Sequence, residues 1–168
     1  MSMGVETLVA VEQYLNTSYD PDVEYVDGTL LERNVGDWLH SLIQSNIIFA
    51  LRTKYPQLKV VPELRSQTAA TRFRLPDVAV LREMPDGRYL TAPPLIAIEI
   101  LSESDRMSAV MEKLHEYDAH GTPNIWMIDP RLHQISAYHA GVLQEIGGDT
   151  LLTARDEVAL TRAEIFQS

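Results

Sequence analysis

Residues 94–105 read PLIAIEILSESD, and the segment Leu95-Ile96-Ala97-Ile98-Glu99-Ile100-Leu101 decides the fold. It is short, apolar, rich in β-branched residues and bounded by prolines and serines, which are the marks of a buried strand. Glu99 stands in its middle. A carboxylate alone in an apolar interior costs several kcal/mol or gives up its charge, so this glutamate requires a partner.

Working outward, a second acidic residue is placed in the same way. Asp77 in LPDVAVL opens another apolar run directly after Pro76, whose ring and missing N–H tolerate only a strand start or edge. Two carboxylates on adjacent strands can converge, and their mutual repulsion then calls for a cation. A turn carboxylate is the simpler account of Asp77 taken alone. An ion pair with Arg72, Arg74 or Lys113 is the competing account of Glu99. Lys113 follows from geometry: Glu99 lies three strand steps before Ser102, roughly 10 Å at about 3.3 Å each. Lys113 lies seven residues into the next helix, again roughly 10 Å at about 1.5 Å each, so a helix folded back over the sheet brings the two level.

The rest of the chain supplies the frame. Residues 7–16 predict a short helix, and EYVDGTLLER predicts a hairpin turning at Asp27-Gly28. A long helix is expected from Asp37 to Lys54, ended by Tyr55-Pro56. LKVVPEL and FRLPDVAVLR predict strands, and PDG at 85–87 a turn. After LIAIEIL a helix should run from about Arg106 to Ala119, stopped by Gly121 and Pro123. NIWMID, QISAYH and VLQEI predict further strands, and Thr161 with Glu164 a capping box at a terminal helix. The order predicts a single α/β domain over 1–168, of the α+β kind, with a central mixed β-sheet flanked by helices.

Composition narrows the function classes. Apolar residues make up 45 % and charged residues 23 %, an ordinary globular balance. The chain has no cysteine, which excludes disulfides and thiolate metal sites. The N-terminus lacks a secretory pattern and no segment approaches a membrane span, so the cytoplasm is the expected compartment. A formal charge of −10 opposes an electrostatic coat on nucleic acid but leaves room for a nuclease, because divalent cations offset charge in a carboxylate site. HEYDAH at 115–120 does not make a zinc-protease motif: its histidines are five apart where four is needed, about 140° apart around a helix. Tyr117, Trp126 and Trp38 read as core or packing residues.

The ordered series EYVDGTL, His40, RLPDVAVL, AIEILSESD, Lys113, Tyr117, Gly121 and IWMIDP resembles the Uma-type restriction-endonuclease family of the PD-(D/E)xK nuclease superfamily, from about Glu24 to Tyr138. The superfamily lysine usually sits two residues after the glutamate, which here is Leu101. In the Uma-type group it has moved to the next helix, where Lys113 stands. The resemblance implies a restriction-endonuclease-like core and metal-assisted hydrolysis of nucleic-acid phosphodiesters, DNA being favoured. It implies Mg2+ or Mn2+ on Asp77, Glu99 and the Ile100 carbonyl, with Lys113 orienting water or stabilising the pentavalent state. His40, Glu63 and Glu32 are the accessory candidates. A homodimer is expected, because paired sites cut two strands and twofold dimers are the commonest oligomers. A binding domain that retains the fold, and a metal-free acid/base hydrolase using Asp77 and Glu99, are the alternatives.

Overall fold

The computed structural model describes residues 7–168. A short helix α1 (Val11–Leu15) leads into the hairpin β1 (Glu24–Val26) and β2 (Thr29–Leu31), whose turn holds Asp27 and Gly28 at positive φ, 49° and 95°. The long helix α2 (Trp38–Lys54) is capped by Asp37, whose side chain accepts from the His40 N–H. Four short strands follow: β3 (Lys59–Val61), β4 (Ser66–Ala69), β5 (Arg72–Arg74) and β6 (Val78–Leu81). Next come β7 (Ile96–Ile100) and α3 (Met107–His120), which stops at Gly121 in the left-handed region, φ 102°. Strands β8 (Asn124–Asp129), β9 (Gln134–His139) and β10 (Val142–Glu145) form a meander. The chain closes with β11 (Thr150–Leu152), β12 (Ala159–Thr161) and α4 (Arg162–Ile165).

The central sheet has six strands in the order β10-β9-β8-β7-β6-β3, mixed because β7 and β8 run parallel through the α3 crossover while its other pairs are antiparallel. Alternation along β7 sends its two faces to different helices. Ile96, Ile98 and Ile100 pack with Ile43, Ile47 and Leu51 of α2 in the main core. Ala97, on the same face as Glu99, packs with Val110, Leu114 and Tyr117 of α3. Helices thus cover both sides of β7, and a carboxylate at position 99 faces α3.

Three departures from the sequence reading have physical causes. FRLPDVAVLR is two strands: Pro76 cannot donate to a ladder, so the chain leaves β5 in one sheet and enters β6 in another. A separate four-stranded sheet, β2-β1-β5-β4, therefore stands beside the expected one, with β11-β12 as a further hairpin. LKVVPEL keeps only three strand residues, because Pro62 interrupts it and Glu63 turns at φ 51°. The N-terminal helix is five residues long rather than 7–16.

Candidate active site

Two strand ends and one helix build the site. The β6–β7 pairing sets Val78 opposite Ile98, so one step on Asp77 faces Glu99 across the ladder, on the α3 side. Asp77 is 3 % and Glu99 5 % exposed. The Asp77 Oδ2 accepts from the Ile100 N–H at 2.7 Å, which ties the carboxylate to the backbone beside Glu99. From α3, Lys113 Nζ donates to Glu99 Oε2 at 2.8 Å and Tyr117 Oη donates to Glu99 Oε1 at 2.6 Å. Lys113 and Tyr117 are four residues apart and so share one helix face. Asp77, Glu99, Ile100 and Lys113 border a cavity of about 310 Å³ that Glu32, Arg33, Ser102 and Arg106 also line.

The structure thus brings Asp77, Glu99 and Lys113 together, with the Ile100 backbone beside them. His40 lies at their edge, its Nε2 3.3 Å from Asp77 Oδ1. Glu32 is exposed in the cavity lining. Glu63 is half-exposed and meets the site only through Arg33, whose Nη1 lies 3.3 Å from Glu63 Oε1 and whose Nη2 donates to Asp77 Oδ1 at 2.8 Å.

Sequence reasoning missed three groups, Glu24, Glu116 and Arg33, and gave Arg74 a different partner. Glu24 of β1, 4 % exposed, places Oε1 3.0 Å from Lys113 Nζ and accepts from the Leu75 N–H at 3.1 Å. Arg74 of β5 donates to Glu24 Oε2 at 3.0 Å and clamps Glu116 of α3 at 2.8 and 2.7 Å. Tyr117, read as a core residue, is buried in the α3-side core and also donates its hydroxyl to Glu99; its spacing from Lys113 was the available signal for that second role. Glu24, like Glu99, is an acid between apolar neighbours, Val23 and Tyr25, and that pattern could have exposed it. Nothing local marks Arg33. Trp126 is buried as expected, but Trp38, read as a packing residue, is 79 % exposed on the first turn of α2.

Electrostatics follow from one ammonium serving several carboxylates. Burial opposes the charge on Lys113, but Glu99, Glu24 and Asp77 outweigh it and raise its pKa, so the ammonium stays charged. Burial also works against ionised Asp77, yet the hydrogen bond from His40 and the charges of Lys113, His40 and Arg33 hold its carboxyl below the usual value. Glu99 takes the remainder: burial, with the charges of Asp77 and Glu24, pushes it up to about 7 against the pull of Lys113. The two facing carboxyls are therefore driven apart in affinity for protons.

The donor set fits a hard cation. Among the described residues no group of three or more His, Cys, Asp or Glu side chains is arranged to hold a metal. Two carboxylates and a main-chain carbonyl at a polar cavity suit Mg2+, which takes one or two carboxylates and keeps several waters.

Comparison with known proteins gives the family and the fold. The sequence profile described as "Uma2: Putative restriction endonuclease" matches residues 11–163. A solved structure, "a putative nuclease belonging to DUF820 from Anabaena variabilis ATCC 29413", superposes with a TM-score of 0.77 at 21 % identity, covering 94 % of this chain and 97 % of that one. That likeness fixes the fold as restriction-endonuclease-like. The DrdV–DNA complex matches over 64 % of this chain and 12 % of that chain at 13 % identity, with a TM-score of 0.36 that carries no weight. No curated protein matches the chain significantly. No helix of the described residues is long and apolar enough to cross a membrane.

Proposed function

Starting from the premise that the chain belongs to the Uma2 family, we propose that it is a divalent-metal-dependent nuclease hydrolysing phosphodiester bonds, with DNA the favoured substrate. The observation that carries the reading is the cross-strand pair Asp77 and Glu99, both buried, with the Lys113 ammonium 2.8 Å from Glu99.

Asp77, Glu99 and the Ile100 carbonyl are the groups that would hold Mg2+ or Mn2+. Such a cation offsets phosphate charge and acidifies a water when bound. Lys113 has a narrower role than a base. Its raised pKa keeps Nζ protonated, so it donates hydrogen bonds to charge that builds on the phosphoryl oxygens in the transition state. Glu24 on its other side, at 3.0 Å, fixes the direction in which that ammonium points. Tyr117 holds the Glu99 carboxylate by its second oxygen and limits its rotation. The Ile100 N–H does the same for Asp77. Preorganisation of this kind places charge before the reaction begins.

Cleavage of labelled oligonucleotides and plasmid DNA with Mg2+ or Mn2+ tests the reading. Activity should disappear in EDTA and in Asp77→Asn, Glu99→Gln and Lys113→Met. Turnover that survives EDTA would belong to a metal-free acid/base hydrolase using the two carboxyls. Binding of metal or DNA without turnover would mark a non-catalytic domain. The reading extends to a cytoplasmic homodimer that delivers two centres at a fixed spacing; sedimentation equilibrium distinguishes a dimer from a single subunit.

A further inference from the structure

Arg33 stands on the segment between β2 and α2 and reaches into the cavity with its side chain 17 % exposed. One guanidinium nitrogen, Nη2, donates to Asp77 Oδ1 at 2.8 Å. The other, Nη1, lies 3.3 Å from Glu63 Oε1, on a half-exposed side chain outside the cavity. The other Asp77 oxygen is held by the Ile100 N–H. Oδ1 is the oxygen that Arg33 fills, with His40 Nε2 3.3 Å from the same atom, so a cation entering there meets a fixed guanidinium charge. The same side chain already touches a second carboxylate to which it can move.

We propose that Arg33 is an internal competitor of the divalent cation at Asp77 Oδ1, and that Glu63 receives its guanidinium when the cation binds. Arg33 thereby sets the metal affinity of the site, with Glu63 as the anchor that makes its withdrawal cheaper. The inference rests on the metal reading above. It concerns the side chains that surround the ion, rather than those that hold it. Its two substitutions have opposite signs. Removing Arg33 takes the fixed charge off Asp77 Oδ1, leaves His40 Nε2 as its neighbour there, and strengthens metal binding. Removing the charge of Glu63 leaves the guanidinium with Asp77 alone and weakens it.

Isothermal titration of Mn2+ into the full, metal-free chain at fixed ionic strength reads both effects. Arg33→Met should bind Mn2+ at least about fivefold more tightly than the unaltered protein, the lower end of ordinary coupling between sites. Glu63→Gln should bind it about fivefold more weakly, at the lower end of the same scale of coupling. Arg106→Met and Glu32→Gln change the same charges in the cavity lining and serve as controls for general electrostatics. Asp77→Asn should abolish the binding in every background. Glu63 is half-exposed, so Glu63→Gln tests the exchange even if Arg33→Met does not fold. Binding that Asp77→Asn abolishes, but that Arg33→Met tightens no more than Arg106→Met, would overturn the inference and leave the metal reading standing. The same holds if Glu63→Gln weakens it no more than Glu32→Gln. Absence of Asp77-dependent binding in both the unaltered chain and Arg33→Met would overturn the metal reading itself.

Discussion

Replacing Arg74 by Met should expose how the site is braced. Its side chain is 4 % exposed and joins β1 to α3, through Glu24 at 3.0 Å and Glu116 at 2.8 and 2.7 Å. Removing one partner of a buried ion pair costs about 3–5 kcal/mol, because the other charge stays desolvated. Here neither carboxylate is wholly stranded. Glu116 keeps Arg72 at 2.6 Å and Thr68 at 3.0 Å, and Glu24 keeps Lys113 and the Leu75 N–H. The low end applies, about 3 kcal/mol, or a melting temperature lower by about 6–12 °C for a chain of this size. Urea and thermal unfolding followed by circular dichroism measure it. The acid limb gives a second reading. Burial raises the pKa of both Glu24 and Glu116, but their cationic partners more than reverse this, so both are held below 4.5. Carboxylates depressed in this way stabilise the fold above that value, and the contribution fades as the pH falls through their folded pKa. The gap between Arg74→Met and the unaltered chain should therefore be full at neutral pH and close below about pH 4.5. A loss under about 1 kcal/mol, the range of an exposed pair, would refute the bracing role.

Gly36 makes room for His40: a Cβ there would lie 2.9 Å from the His40 Nδ1. Gly36→Ala should push the ring away from Asp77. In the metal-free protein burial lowers the His40 pKa, but Asp77 more than reverses it and holds it above 6.5. NMR titration should find this value reduced in Gly36→Ala, and an unchanged value would refute the contact. A raised histidine pKa stabilises below 6.5 and ceases to as the pH climbs through the folded value, so the stability lost in Gly36→Ala should be largest on the acid side. Thr161→Ala removes the capping box in which Thr161 Oγ1 accepts from the Glu164 N–H and Glu164 accepts from the Thr161 N–H. It should cost about 1 kcal/mol in urea unfolding, and an unaltered midpoint would contradict it.

Much of the fold was legible because its signals are local. The buried run around Glu99, the α3 stop at Gly121, the Asp27-Gly28 turn and the Thr161–Glu164 box each depend on residues within a turn or a strand of one another. Lys113 was legible because strand rise and helix rise, counted from one loop, set its level against Glu99. What escaped depends on long-range placement. Arg72 and Arg74 were candidate partners of Glu99, yet the structure pairs both with Glu116, since Pro76 moves their strand into the second sheet. Arg33 and Asp77 are 44 positions apart, and Glu24 and Arg74 are 50 apart. No local pattern encodes such contacts. The two-sheet division was hidden for the same reason: Pro76 marks a strand start at Asp77, but only the ladder reveals that the strands before and after it join different sheets.

The central claim is that Asp77 and Glu99 together hold a divalent cation beside Lys113. Anomalous diffraction from crystals of the full chain grown with Mn2+ tests it most directly. The expected result is a peak between the Asp77 and Glu99 carboxylates, with the Ile100 carbonyl in its coordination sphere, lost in Glu99→Gln crystals. Mn2+ bound only to other acidic groups of the surface, with Asp77 still on Arg33 and Glu99 still on Lys113, would contradict it.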